Sequence, residues 1–238
     1  MKSPENEKQL PVVIGRNSSG EAHSIDLSVL PNLFISYHEE EQLTTMFLEL
    51  IQNLTKQKHE ISLAISMGTK MSESLLPFLG EKELVANHLH LKNADQKTNT
   101  IDEFISSLLI ELKKRRTLKK YKLPSKISQG FLIVFIEDIF EVIKSTHKKT
   151  GLGFIELLVK GPEEAMHFIC GSSGIYKNLL DQLINVSPAL NRKLQKSKHL
   201  KNIKEPLAAE LIMNPDDLIF FKRRDERVFV RLFQNKVI

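Results

Sequence analysis

The chain has 238 residues, 41% hydrophobic and 26% charged, an ordinary balance for a globular protein with one large core or two modest ones. Its 34 basic and 29 acidic side chains leave a net charge of +5, weak evidence by itself for an anionic partner. A single cysteine, Cys170, excludes an internal disulfide and fits a reducing compartment; no apolar run approaches the roughly 20 residues of a membrane helix; and the lack of tryptophan leaves few stacking platforms for bases.

The polar opening MKSPENEKQ is no signal peptide and reads as a flexible lead-in over residues 1–9. LPVVIGRN then reads as a strand, SSGEA as a turn, and HSIDLS as a second short strand. Pro31 precedes an apolar strand at Leu33-Phe34-Ile35. From Glu40 to Gln57, apolar residues at Leu43, Met46, Phe47, Leu50, Ile51 and Leu54 have helical spacing. ISLAIS (Ile61 to Ser66) is a strand, ESLLPFLG a short helix or turn, and NHLHLK a short strand. Ile101, Phe104, Ile105, Leu108, Leu109 and Leu112 share one face of a long helix running to about Lys120. GFLIVFIEDIFEVI opens as the most apolar strand of the chain. Phe154 to Val159 sits in a helix, AMHFICGSS is a strand leading into a turn, and Tyr176 to Val186 is helical. DDLIFFKR and RVFVRLFQ form a closing hairpin across RDE.

Strands alternating with helices imply an α/β fold with a mainly parallel sheet covered on both faces. There is no linker, repeat or low-complexity block, so residues 10–238 read as a single domain. Within it, Lys113, Lys114, Arg115, Arg116, Lys119, Lys120, Lys122 and Lys126 occur with no acid among them, and a second basic stretch runs from Asn191 to Lys204. Charge runs are more often solvated faces than nucleic-acid sites, and cations suit a helix C-terminus. Acidic protein and anionic lipid headgroups are further candidate partners.

The stretch NLFISYHEEEQLTTMF joins a strand, a short turn and a helix N-terminus, the arrangement that cradles a phosphate. The turn nevertheless holds Glu39, Glu40 and Glu41 and no glycine. The order of all these pieces resembles the FtsK/SpoIIIE branch of the RecA-like P-loop ATPases over nearly the whole chain. Gly15, Gly20, Asp26, Leu27, Pro31 and Asn32 match that family's opening pattern. Its phosphate loop, GATGSGKS, falls without gaps on YHEEEQLT, Tyr37 to Thr44. Glu111, Leu112, Arg115 and Leu118 match its long helix, VFIEDIFEVI its acidic strand, and His167 its next strand. The hairpin that ends the chain matches its ending.

The resemblance implies a RecA-like P-loop NTPase fold, and the departures imply lost chemistry. A working loop uses glycines so that backbone N–H groups reach the phosphates, and a lysine for the β and γ oxygens. Here Tyr37, Glu40 and Gln42 stand where the glycines would be and Leu43 where the lysine would be; Thr44 alone keeps the metal-binding hydroxyl. Each carboxylate near a phosphate costs about 1 kcal/mol at about 4 Å even in bulk water. As a run of acids at a helix start, Glu39, Glu40 and Glu41 have a plain alternative role, complementing the helix dipole. In place of the family's Asp-Glu pair the chain has Glu137 then Asp138, which in a structural role are a strand-end pair either solvated or bonded to neighbouring backbone N–H groups. The sensor-like turn, GSSGIY, lacks the family's glutamine, and Arg16, Arg115 and Arg192 are the arginines available as a finger.

Other chemistry is thin. His88 and His90 would share a strand face, but zinc needs further ligands at plausible spacing. CGSSG has the wrong register for a nucleophile elbow, and Cys170 reads as a small buried apolar residue. No catalytic residue, metal or cofactor is expected; ATP with Mg²⁺ belongs only to the alternative of a DNA translocase-type domain with residual or partner-supplied ATPase activity.

Within the family, FIELLVKGPEEAMHFICGSSGIYKNLLDQLI looks closest to the type VII secretion coupling ATPases of the EssC/EccC type, whose later domains often have eroded nucleotide motifs. That resemblance implies a cytoplasmic module at a membrane secretion apparatus, either standalone or a terminal domain. Its partners would be a secreted protein substrate or an adjacent ATPase domain, with weak, non-specific nucleic-acid binding and a homo-oligomer as further expectations. Exposed Tyr37, His38, Ile175 and Tyr176 are the candidate docking residues, unless they plug the vacated pocket.

Overall fold

A computed structural model describes residues 9–16, 19–30, 32–57, 59–68, 71, 75, 99–121, 130–140, 142, 148–173, 209–213, 218–223 and 226–230. Strands β1 (Pro11–Arg16) and β2 (Ala22–Asp26) form a separate antiparallel pair. Asp26 closes it: one carboxylate oxygen accepts from the Leu10 N–H at 2.9 Å and from both the N–H and the hydroxyl of Ser28.

The main sheet contains β3 (Asn32–Tyr37), β4 (Ile61–Ser66), β5 (Phe131–Ile136), β6 (Met166–Ser173), β7 (Ala209–Met213), β8 (Leu218–Arg223) and β9 (Glu226–Val230). Its spatial order is β4-β5-β6-β3-β7-β8-β9. All pairings from β4 to β7 are parallel, and β7-β8 and β8-β9 are antiparallel. Among the described residues the helices α1 (Glu40–Thr55), α2 (Asn99–Tyr121) and α3 (Lys148–Lys160) accompany them. A 3₁₀ turn at Pro162–Glu164 leads from α3 into β6.

β5 shows why the sheet is covered on both sides. Every residue of FLIVFI is buried, and the alternation of a strand divides them between two cores. Phe131, Ile133 and Phe135 join α1, β1 and β2 on one face; Leu132, Val134 and Ile136 join α2 and α3 on the other. The helical face expected over Glu40–Gln57 is the buried face of α1, from Leu43 to Leu54. α2 and α3 cross closely because Gly153 has no side chain: a Cβ there would stand 2.6 Å from Leu109 Cδ1.

Two differences from the sequence reading have physical causes. β7 was not expected, since AAELIM favours a helix; parallel pairing with β3, Leu33 opposite Ala209 through Ser36 opposite Ile212, overrides that preference. β6 does not turn at Gly171 but runs on to Ser173, because β3 pairs with it as far as Tyr37 opposite Ser173. The expectations for ESLLPFLG, NHLHLK with His88 and His90, Lys122, Lys126, Ile175, the helix Tyr176 to Val186, and Asn191 to Lys204 lie outside the described residues, apart from the helical backbone and buried side chain of Leu75.

Candidate functional site at the C-terminal edge of the sheet

The parallel strands β3, β5 and β6 end side by side, so the residues following each meet at one edge of the sheet, the usual place for ligands in such folds. Three groups of the candidate residues arrive there: the turn Tyr37 to Thr44 from β3, Glu137 and Asp138 from β5, and the end of β6.

The turn is filled from within. Leu43, where the resemblance expects a lysine, is fully buried in the first turn of α1. Tyr37 is buried as well, only 6% exposed, which corrects the expectation that it is an exposed docking residue. Both lie against Gly171 of β6: a Cβ on that glycine would stand 2.6 Å from Leu43 Cδ2 and 3.1 Å from Tyr37 Cε1, and would run into the Glu137 carbonyl oxygen. The missing Cβ of Gly171 is therefore the floor on which the two apolar side chains rest. Sequence reading missed this role, although a glycine inside a buried strand is itself a sign of close approach.

Most polar groups of the turn are exposed or bonded locally, while the buried Gln42 Oε1 has no hydrogen-bond partner among the described residues. Thr44 donates its hydroxyl to the Glu40 carbonyl of its own helix at 2.8 Å. Glu39 is extended at the N-cap and makes no side-chain cap, while Glu40 and Glu41 occupy the first turn, where carboxylates complement the helix dipole. The Glu39 carbonyl accepts from the Gln42 N–H at 3.0 Å. His38, Glu39 and Glu41 are exposed; Glu40, Gln42 and Thr44 are half-buried.

Glu137 and Asp138 serve as braces. The Glu137 carboxylate accepts from the Gly68 N–H beyond β4, and its own N–H donates to the Ser66 carbonyl at 3.0 Å. Asp138 accepts from the Phe140 N–H at 2.8 Å, capping a short helical turn, and from the Ser173 hydroxyl at 2.7 Å. One acid thus ties β5 to β4 and the other ties it to β6.

The residues a phosphate loop would use for Mg-ATP, the group the fold implies, are replaced in this turn. Where a loop would present backbone N–H groups and an ammonium, this edge presents a tyrosine ring, a leucine and carboxylates. Among the described residues no cluster of His, Cys, Asp or Glu has the makings of a metal site. Cys170, fully buried on β6, has its thiol pushed up by burial and stays protonated.

The basic run lies elsewhere. Arg115, considered above as a finger, donates to the Gly130 and Glu164 carbonyls at 2.8 and 3.0 Å and pairs with Glu111 at 2.9 Å, which holds it at the opposite end of β5. Arg116 lies within 3.9 Å of Glu156, Glu163 and Glu164, and Lys119 within 3.4 Å of Glu164. Lys114 pairs with Glu111 at 3.6 Å. A run free of acids in sequence is thus interleaved with acids in space, while Lys113 and Lys120 stay exposed. Arg16 donates to the Gly20 carbonyl within the β1–β2 turn, and Arg192 and Tyr176 fall outside the described residues.

The strand order and the helices on both faces define the class: an α/β, RecA-like fold. No family model and no curated protein matches the sequence. Among solved structures, the chain is similar to Thermomonospora curvata EccC (ATPases 2 and 3, in complex with a signal sequence peptide), at 15% identity and TM-score 0.55, covering 98% of this chain and 41% of that one. It is similar to the cytoplasmic domain of EssC at 8% identity and TM-score 0.58, covering 96% and 44%. It is also similar to the pCW3 conjugation coupling protein TcpA, a monomer with ATPγS, at 11% identity and TM-score 0.57, covering 95% and 66%. The chain spans less than half the length of the EccC and EssC chains it matches. At such identities the likeness is one of fold. No helix among the described residues is long and apolar enough to cross a membrane.

Proposed function

We propose that the chain is a nucleotide-independent pseudo-ATPase module of a type VII-like secretion coupling ATPase, recognising a protein substrate or regulating a neighbouring motor domain on the cytoplasmic side of the membrane. The observation that carries this reading is the filling of the turn after β3: Leu43 and Tyr37 pack on Gly171 where a triphosphate would need open backbone and a lysine. A fold of this kind without room for its nucleotide is left with its surfaces. The likeness to EccC and EssC supplies the secretion context, and the signal sequence peptide bound in the EccC structure supports a protein substrate.

The second reading, a DNA translocase-type domain, draws on the basic run of α2 and on the likeness to the conjugation protein TcpA. The acids packed around Arg115, Arg116 and Lys119 weigh against it. Pull-down and cross-linking with the secreted proteins and ATPase domains encoded beside this chain test the first reading. Capture that is equal with and without Mg-ATP supports it. Capture that requires Mg-ATP, or that is confined to duplex DNA, overturns it.

A further inference from the structure

We propose that the groove between α2 and α3 is a docking site for an acidic amphipathic helix of a partner protein. This deepens the preceding reading, resting on its claim that the chain binds protein, and it uses no residue of the nucleotide turn. The groove encloses about 360 Å³ and is lined by Leu109, Leu112, Lys113, Arg116, Thr117, Lys120 and Glu156. Leu109 and Leu112 form an apolar floor, and a volume of that order accepts a few apolar side chains.

Two large apolar residues continue this floor onto open surface. Ile110 is 69% exposed and Tyr121 62% exposed. Ile110, Thr117 and Tyr121, seven and four residues apart, share one side of α2, where the stems of Lys113 and Lys114 lie between Ile110 and Thr117. Two exposed apolar side chains beside an apolar groove with a basic rim make a surface that an acidic amphipathic helix covers. The rim selects its charge: Lys113 and Lys120 stand exposed at the groove, whereas Arg116 is already shared with Glu156, Glu163 and Glu164. Lysine and arginine stems also extend apolar surface while their heads reach anions.

The same features disfavour a nucleic acid here. A phosphate backbone gains nothing from a leucine floor, and its binding grows with the number of cations free to neutralise it. Arg116 and Lys119 already have Glu156, Glu163 and Glu164 within 4 Å.

The test uses the full chain and a fluorescein-labelled helical peptide with leucines at i, i+3, i+4 and i+7 and glutamates elsewhere, read by fluorescence anisotropy. A twin peptide with lysines for the glutamates is the control for charge. Saturable binding of the acidic peptide is expected, weakened about tenfold or more by Lys113→Glu with Lys120→Glu, and separately by Ile110→Asp. All three positions are exposed, so the variants should keep the wild-type melting curve; Lys56→Glu, on exposed surface at the end of α1, should bind like wild type. Absent saturation, equal binding of the lysine twin, indifference to the charge reversals, or displacement of the peptide by stoichiometric duplex DNA overturns the proposal. If the pull-down succeeds while this binding fails, protein recognition stands and this groove is not its seat.

Discussion

Leu43 of α1 rests directly over Gly171 of β6, with its Cδ2 2.6 Å from where a Cβ on that glycine would be. Tyr37 lies against the same backbone from the end of β3, and the Glu137 carbonyl approaches it from β5. Tyr37 and Leu43 of the turn after β3 thus belong to the hydrophobic core.

Gly171→Ala should therefore destabilise sharply. The new methyl meets the Glu137 backbone, which cannot swing aside as a side-chain end could, so the cost should exceed the roughly 1–3 kcal/mol of ordinary overpacking. Thermal or urea melts measure it. A variant as stable as wild type would show that the three strands do not close on Gly171.

Leu43→Lys, which restores the residue type expected of a phosphate loop, should cost about 3 kcal/mol or more, because it removes a fully buried leucine and puts an ammonium in its place. It should bring no Mg-ATP binding, since Tyr37 and the carboxylates remain. Denaturant titration with calorimetry checks both halves.

Neighbouring arginines of α2 should behave differently. Arg115, 14% exposed at its side chain, bonds two backbone carbonyls and Glu111, so Arg115→Met should cost on the order of 2 kcal/mol or more. Arg116, 36% exposed with partners no closer than 3.8 Å, should cost under about 1 kcal/mol as Arg116→Ala. Equal losses in the two melts would contradict the division between them. Duplex DNA should bind this face weakly and lose affinity steeply with salt.

Much of this fold was legible in the sequence because its signals are local. The apolar periodicity from Leu43 to Leu54 marked α1, and the short, β-branched and aromatic run FLIVFI read as the most apolar strand, which is buried on both faces. β7 was hidden because its strand character comes from β3 beside it and not from AELIM. The unusual turn Tyr37 to Thr44 was readable as residue types, but not the direction its side chains take: Tyr37 turns into the core, whereas its neighbour His38 stays outside. The basic run was legible as charge, while the acids that partner it arrive from α3 and the 3₁₀ turn about 40 residues away in sequence.

The β1–β2 pair should loosen in acid. Burial alone would raise the Asp26 carboxyl, but hydrogen bonds from the Ser28 hydroxyl, the Leu10 N–H and the Ser28 N–H, with His167 nearby, hold it below its ordinary value. A depressed carboxylate stabilises the fold at pH above its unfolded value, and that contribution is lost as pH falls through its folded one. Asp26→Asn should lower stability at neutral pH and flatten its acid dependence below about pH 4. Parallel pH–stability curves for the variant and wild type would contradict this.

The central claim is that this RecA-like fold works without nucleotide. Isothermal titration of the chain with Mg-ATP tests it most directly. The account predicts no saturable heat up to about 1 mM, which leaves less than about 4 kcal/mol of binding free energy. A micromolar site, abolished by Thr44→Ala or by Glu137→Lys, would contradict it.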